Sequence, residues 1–479
     1  MFAANPYRVL LLLLMVALLP SVAEATQFHV SHSDPIAPVI LGVTGILFVA
    51  LIGRFGARKL GLPSVLGELL MGILVGNIAY YLSFDLVTVL REGPAIFDIV
   101  ENMLHGEELE LASLNAIGAE GTWRVLDVLR SSHGDEIIQV AYAVDVFSRY
   151  GVIFLLFLVG LDTSIDEMRE VGPDSGRVAI VGVLLPFLLG LLAATLLIED
   201  VEFHTSLFLG ATLAATSVGI TAAVLQEMHM QQSETARIVL GAAVFDDVLG
   251  LLMLAIVSGI VVTGSVDLIN IVMIVIMATL FLVAAVYLGP FFIRLIVRLF
   301  SRLDLVEAKM FVSYMFVMVL AWMANLSGLA TIIGAFTAGL ILHDAYFESW
   351  NNDRQCPICI KDLIMPLEVI LVPIFFVLMG IQVKLETLLQ PGVMLLAIGL
   401  LVAAIVGKVV SGFGAFGVNN RWAIGIGMMP RGEVGLIFAA IGKSLGVLND
   451  SLFSAVVLMV IVTSLLSPPL LKYSLRHSG

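Results

Sequence analysis

Long apolar runs, separated by short charged or glycine- and proline-containing joints, set the rhythm of this chain. A helix needs about 20 apolar residues to cross a bilayer. On that measure thirteen spans are predicted, near residues 37–53, 62–83, 147–162, 177–198, 205–225, 237–263, 267–292, 309–327, 329–344, 366–384, 392–416, 422–446 and 450–472. Backbone polar groups inside lipid must be paired within the segment, so these runs predict an all-α polytopic membrane protein. One stretch breaks the rhythm. Residues 84–142 are too long for a plain loop. Apolar residues recur there at helical spacing, at Ile96, Ile99, Val100 and Leu104 and again at Val125, Val128 and Leu129. Short surface helices are expected.

The first 25 residues stand apart. Arg8 precedes the apolar run Val9–Leu19, and Ala23-Glu24-Ala25 has the A-x-A form of a cleavage site. Residues 1–25 therefore read as a secretory signal peptide. The remaining chain divides into the first two spans (26–83), an extracytoplasmic acidic segment (84–142) and the other spans (143–479). Cleavage leaves the mature N-terminus, from about Thr26, outside, and an odd span count puts the C-terminus in the cytoplasm. Positive charge sorts the same way. Arg54, Arg58, Lys59, Arg169, Arg177, Arg294, Arg298, Arg302, Lys309, Arg354, Lys361, Arg421, Lys472 and Arg476 all follow odd-numbered spans, on the expected inside. Lys384 is the exception among the short outside loops.

Composition narrows the class further. The 479 residues are 60% hydrophobic and 13% charged, with mean hydropathy +1.07, which excludes a soluble globule. A net charge of −14 argues against a nucleic-acid partner. Much acid sits in 84–142, at Glu107, Glu108, Glu110, Asp135 and Glu136. A solvated face is the preferred reading over a cation-attracting vestibule. Cys356 and Cys359 form a lone C-x-x-C without the second pair that a zinc site needs, and they read as reduced loop thiols. No cofactor or resident metal is expected, and no enzyme motif such as H-E-x-x-H or G-x-S-x-G is present.

The chemistry concentrates in four spans. Asp246 and Asp247 interrupt the sixth, where each carboxylate at mid-helix costs roughly 2.5–3.5 kcal/mol. Adjacent residues on a helix point about 100° apart, so one can meet a fixed cation while the other faces a cavity. The fifth span is polar and glycine-containing at Thr216-Ser217-Val218-Gly219, and the twelfth carries Pro430-Arg431-Gly432-Glu433. Both predict interrupted helices, which survive in a membrane where the freed backbone lines a cavity or an ion site. They lie seven spans apart, so they run in opposite directions. That is the trace of an inverted-topology repeat, with spans one to six and eight to thirteen as halves and the seventh as connector. The eleventh span places Lys408 in an apolar run, and a buried ammonium needs a partner. Either Asp246 or Asp247 would serve.

Six stretches together resemble bacterial sodium/proton antiporters of the cation:proton antiporter superfamily, in the branch with an Asp-Asp motif. They are Pro63-Ser-Val-Leu-Gly-Glu-Leu-Leu-Met-Gly-Ile-Leu, Gly151-Val-Ile-Phe-Leu-Leu-Phe-Leu-Val-Gly-Leu-Asp, Ala215-Thr-Ser-Val-Gly-Ile-Thr, Phe245-Asp-Asp, Gly407-Lys408 and Pro430-Arg-Gly-Glu. The resemblance implies a core transport domain with two crossing discontinuous helices, a dimerisation domain, and a homodimer in the bacterial inner membrane. It implies Asp247 as the cation- and proton-binding carboxylate, Asp246 as the partner of Lys408, and Thr216 and Ser217 at the crossing. Pro430, Arg431, Gly432 and Glu433 would support it. The transported partners would be Na+ (or K+ or Li+) and H+, exchanged by alternating access with more than one proton per cation, as in electrogenic members. Two departures stand out: the long 84–142 segment, and Asp162 where Glu is expected. The rivals are a potassium/proton antiporter, a glutathione-gated potassium efflux protein and an intramembrane aspartyl protease. The efflux relatives usually carry a nucleotide-binding domain and a different residue before the key Asp. The protease needs carboxylates from two helices.

Overall fold

The computed structural model describes residues 34, 36–117, 119–162, 172–198, 201–228, 230, 233–263, 268–299, 304–344, 346–347, 359–416, 418, 420 and 421–476. Residues 1–25, expected from the sequence to be a signal peptide, and Cys356 lie outside this set. The described residues are helical throughout, with no strand among them. In chain order the helices are α1 (Ala37–Lys59), α2 (Ser64–Tyr81), α3 (Asp85–Glu92), α4 (Ala95–Leu104), α5 (Leu109–Ile117), α6 (Ala119–Leu129), α7 (Gly134–Asp162), α8 (Pro173–Leu197), α9 (Phe203–Thr212) and α10 (Val218–Glu227). There follow α11 (Glu234–Thr263), α12 (Leu268–Leu299), α13 (Leu305–Leu326), α14 (Thr331–Ile341), α15 (Ile360–Ile381), α16 (Leu385–Leu388), α17 (Pro391–Ser411), α18 (Arg421–Gly427), α19 (Glu433–Ser444) and α20 (Asp450–Arg476).

Among the described residues ten helices are long and apolar enough to cross a membrane. Three of the thirteen predicted spans fall on shorter pieces. The fifth is split into α9 and α10, the twelfth into α18 and α19, and the ninth is the short α14. Local chemistry explains the ends. Pro173 and Pro391 open α8 and α17 as first residues, where a missing N–H costs nothing. Asp304 caps α13 by accepting from Val306 N at 3.2 Å, and Asn420 caps α18 by accepting from Ala423 N at 3.0 Å. Cys359, which is exposed, is the N-cap of α15, where its own N–H donates to Asp362 at 3.2 Å.

The helices pack in a pattern that repeats seven spans on. α1 lies along α2 as α13 lies along α14. α2 packs on α15 as α14 packs on α7. α8 holds α11 as α17 holds α20, and α8 holds α9 as α17 holds α18. Finally α7 packs on α15 and α8 on α17, each helix against its own counterpart. Two units result. One gathers α1, α2, α7, α13, α14 and α15; the other gathers α8 to α11 and α17 to α20, with α12 packed on α11, α13 and α14. The units meet through an apolar seam beside α12. There Val248, Leu251, Leu252 and Ala255 of α11 and Ile333 and Phe336 of α14 line a cavity of about 20 Å3.

Residues 84–142 form α3 to α6 and the start of α7. The predicted apolar stripes supply the buried faces: Ile96 and Ile99 of α4 and Val125 and Val128 of α6 are in the core. α7 begins at Gly134, well before the predicted start at 147.

Bare backbone lets α7 and α14 cross closely. A methyl group on Gly160 of α7 would collide with the carbonyl oxygen of Phe336, and one on Gly339 of α14 with that of Phe157. Helix association in lipid depends on such close approach. Gly160→Val is therefore expected to cost about 1–3 kcal/mol through overpacking, read as a lower Tm of the detergent-purified protein. An unchanged Tm would show that the two helices are not this close.

Candidate functional site

The break between α9 and α10 and the break between α18 and α19 touch each other. The N–H of Ser217 donates to the carbonyl of Pro430 at 2.9 Å. The hydroxyl of Thr221 donates to the carbonyl of Gly427 at 2.6 Å. The guanidinium of Arg431 donates to the carbonyl of Ala215 at 2.8 Å. Groups that lost their helical partners in one span are thus paired with the other, which is how interrupted backbone is tolerated at membrane depth. Ser464 of α20 adds a bond from its hydroxyl to the Arg431 carbonyl. Gly432 is required by this closeness: a Cβ there would lie 2.6 Å from Ser217 Oγ. Glu433 is the first residue of α19.

Asp246 of α11 and Lys408 of α17 meet beside this crossing. Lys408 Nζ donates to Asp246 Oδ1 at 2.6 Å, and neither side chain has any exposed surface. One turn beyond Asp246, a Cβ on Gly250 would lie 4.0 Å from Ala215 Cα, so this stretch of α11 runs along the first break. Arg431 and Asp247 are both near enough to act on the charge of Lys408. Asp247 is half-buried where Asp246 is fully buried. The neighbours on one helix therefore have different surroundings, as the 100° step between them requires. Two carboxylates side by side on α11 also cannot converge from two helices as paired hydrolytic acids would.

The position of Lys408 follows from its neighbour. A methyl on Gly407 would lie 2.7 Å from Pro186 Cγ, so α17 closes on α8 at that proline. The next residue then projects toward Gly182, where a Cβ would lie 3.5 Å from Lys408 Nζ and 3.4 Å from Ser411 Oγ. Sequence reading found the Gly407-Lys408 pair but missed Gly182 and Pro186, whose spacing of one helical turn on α8 was the available signal. It also missed Thr221 and Ser464 as clamps on the second break.

Several buried polar atoms here have no protein partner: Thr216 Oγ1, Asp246 Oδ2, and Nε and Nη2 of Arg431. Leaving such a group unmatched costs about 1–3 kcal/mol. Two cations and two carboxylates within one crossing of broken helices can hold and release small charged species. Among the described residues no group of three or more His, Cys, Asp or Glu is arranged to hold a resident metal ion.

Removing Lys408 would strand Asp246 in a dry site. Lys408→Ala is expected to lose about 3–5 kcal/mol of stability, and Asp246→Leu combined with Lys408→Met to recover most of it. Thermal unfolding in detergent checks both. A wild-type Tm for Lys408→Ala would remove the pair from the stability of the fold.

Comparison with known proteins places the chain in a family. Residues 45–473 match the family described as sodium/hydrogen exchanger, transmembrane. The chain is 36% identical over 473 residues to the high-affinity Na(+)/H(+) antiporter NhaS3 of Synechocystis sp., covering 96% of this chain and 95% of that one. It is 30% identical over 434 residues to the Na(+)/H(+)-K(+) antiporter GerN of Bacillus cereus, covering 90% and 94%. In fold it is similar to the sodium proton antiporter MjNhaP1 from Methanocaldococcus jannaschii, with TM-score 0.61 at 17% identity over 93% of this chain and all of that one. With a match across nearly its whole length, the chain belongs to the sodium/hydrogen exchanger family, a family of multi-pass membrane transporters.

Proposed function

We propose that this protein exchanges a monovalent cation for protons, with sodium as the cation, by alternating access between its two helical units. The observation that carries the reading is the buried Lys408–Asp246 pair, 2.6 Å apart, beside half-buried Asp247 at the crossing of two broken helices. A carboxylate in a low-dielectric site is stable when a proton or a cation neutralises it. Proton and cation therefore compete for the same oxygens of Asp247. Thr216 and Ser217 supply polar groups at the crossing, and Pro430, Arg431 and Gly432 hold the second break against the first. Lys408 keeps the Asp246 charge in place, so exchange at Asp247 occurs in a balanced field. The two units then move relative to each other along their apolar seam, and competition at one site becomes exchange across the membrane.

More than one proton per cation is the stoichiometry this site favours, because two carboxylates and one lysine lie together at one crossing. Such exchange moves net charge. The setting proposed is the bacterial inner membrane, with residues 1–25 removed as a signal peptide, 84–142 outside, the C-terminus in the cytoplasm, and two copies forming a dimer. Potassium is the second reading, because the 30%-identical relative GerN is named for both sodium and potassium.

Purified protein in proteoliposomes, driven in turn with Na+, Li+ and K+ while pH and membrane potential are both read, tests this. A sodium-dependent pH change accompanied by a potential is expected. Asp247→Asn should fall to the protein-free background in the same vesicles. Appreciable transport by that variant would overturn the role given to Asp247.

A further inference from the structure

The end of the molecule that carries residues 84–142 holds a chain of charges that the exchange site does not use. Lys384, in the connection from α15 to α16, sits at its centre. Its ammonium contacts both oxygens of Glu92 on α3, at 2.8 and 3.0 Å, and Asp450 at the start of α20, at 2.6 Å. Lys443, at the end of α19, reaches the same Asp450 at 2.9 Å. Glu92 and Lys443 are almost fully buried, and Lys384 is largely so. Burial works against the Lys384 charge, but the Glu92 and Asp450 carboxylates outweigh it and push the ammonium above its ordinary value.

These residues belong to different units. α3 is packed on α2, α6, α7 and α15, whereas α20 is packed on α17, α18 and α19. The short connection that carries Lys384 is tied to both. On one side Asn77 of α2 donates to Val383 O at 2.9 Å and accepts from Leu385 N at 3.2 Å. Arg91 of α3, fully buried and stacked 4.0 Å over the Tyr80 ring, bonds Asn77 at 2.9 Å and Glu386 at 2.5 Å. On the other side Lys384 N donates to Ser454 Oγ of α20 at 3.1 Å. The connection is a strap between the units, and Lys384 is the cation shared by a carboxylate from each.

We propose that Glu92, Lys384 and Asp450 form a latch that holds the two units together at this end, and that residues 84–142 serve the exchanger by presenting Glu92 to it. The proposal rests on the alternating-access reading above. With the latch made, this end is closed and the exchange site opens to the opposite face. Without Lys384 Asp450 keeps Lys443 but Glu92 loses the ammonium that joins it to the other unit, and the population shifts toward the state open at this end. The apparent affinity of a site scales with the fraction of molecules that present it to the side being titrated.

The test compares KM for Na+ from the two faces, using right-side-out and inside-out membrane vesicles of the full-length protein. Lys384→Gln and Glu92→Gln are expected to change the ratio of the two KM values by about fivefold or more, tightening it from the face that carries 84–142. Lys384→Arg keeps both contacts in reach and should keep the wild-type ratio. Glu92→Gln leaves the Lys384–Asp450 contact in place, so it reads the latch even if Lys384→Gln fails to fold. An unchanged ratio in Glu92→Gln, or a loss of exchange equal from both faces, overturns the latch. Absence of exchange by the wild-type protein in the same vesicles overturns the transport reading instead.

Discussion

The structure depends on one costly arrangement, a lysine and an aspartate paired out of reach of water and lipid alike. A buried ion pair gains little net stability, because desolvation offsets most of the attraction. Its value is positional. Lys408 and Asp246 tie α17 to α11. Arg431 then ties the second break to the first through the Ala215 carbonyl. With Asp247 ionised, two cations face two carboxylates, and the crossing places two positive and two negative half-helix ends in the same region. The local field is near balance, so a single proton or cation added or removed matters.

The repeat gives this site its surroundings. The packing of each half recurs in the other, and the strongest contacts join helices to their own counterparts, α7 to α15 and α8 to α17. An inverted repeat folds the chain into two units that share few directional bonds. The broken helices sit together in one unit, where α8, α11, α17 and α20 enclose them. Bare crossings let the backbones close in both units, Gly160 with Gly339 in one and Gly425 against the Val409 carbonyl in the other.

Much of this was legible in the sequence, for physical reasons. Lipid forbids unpaired backbone, so apolar length marks helices, and polar or proline-containing interruptions mark the two breaks. A charge in an apolar run is costly enough to be informative, which singled out Asp246, Asp247 and Lys408. Elements outside the hydrocarbon give weaker signals. α3 and α5 are short and polar or nearly uniform, and periodicity did not find them. The first turns of α7 carry Asp135, Glu136, Asp145 and Arg149, so a hydropathy reading starts the helix late; the Arg149–Asp145 pair, at 2.6 Å, spans one helical turn. Lys309 counts as a loop charge by sequence but is a buried residue of α13, 2.7 Å from Asp344. Lys384, the outlier in the charge count, is likewise a bridging residue. Contacts made across the fold, such as Thr221 with the Gly427 carbonyl, have no mark in local pattern.

The greasy contact between α11 and α14 has a mechanical meaning. Val248, Leu251, Leu252, Ala255, Ile333 and Phe336 offer no side-chain hydrogen bonds, so shape and dispersion alone act between them. A joint of this kind holds no polar bond that movement would have to break, so directional hold falls to what grips it at the rims.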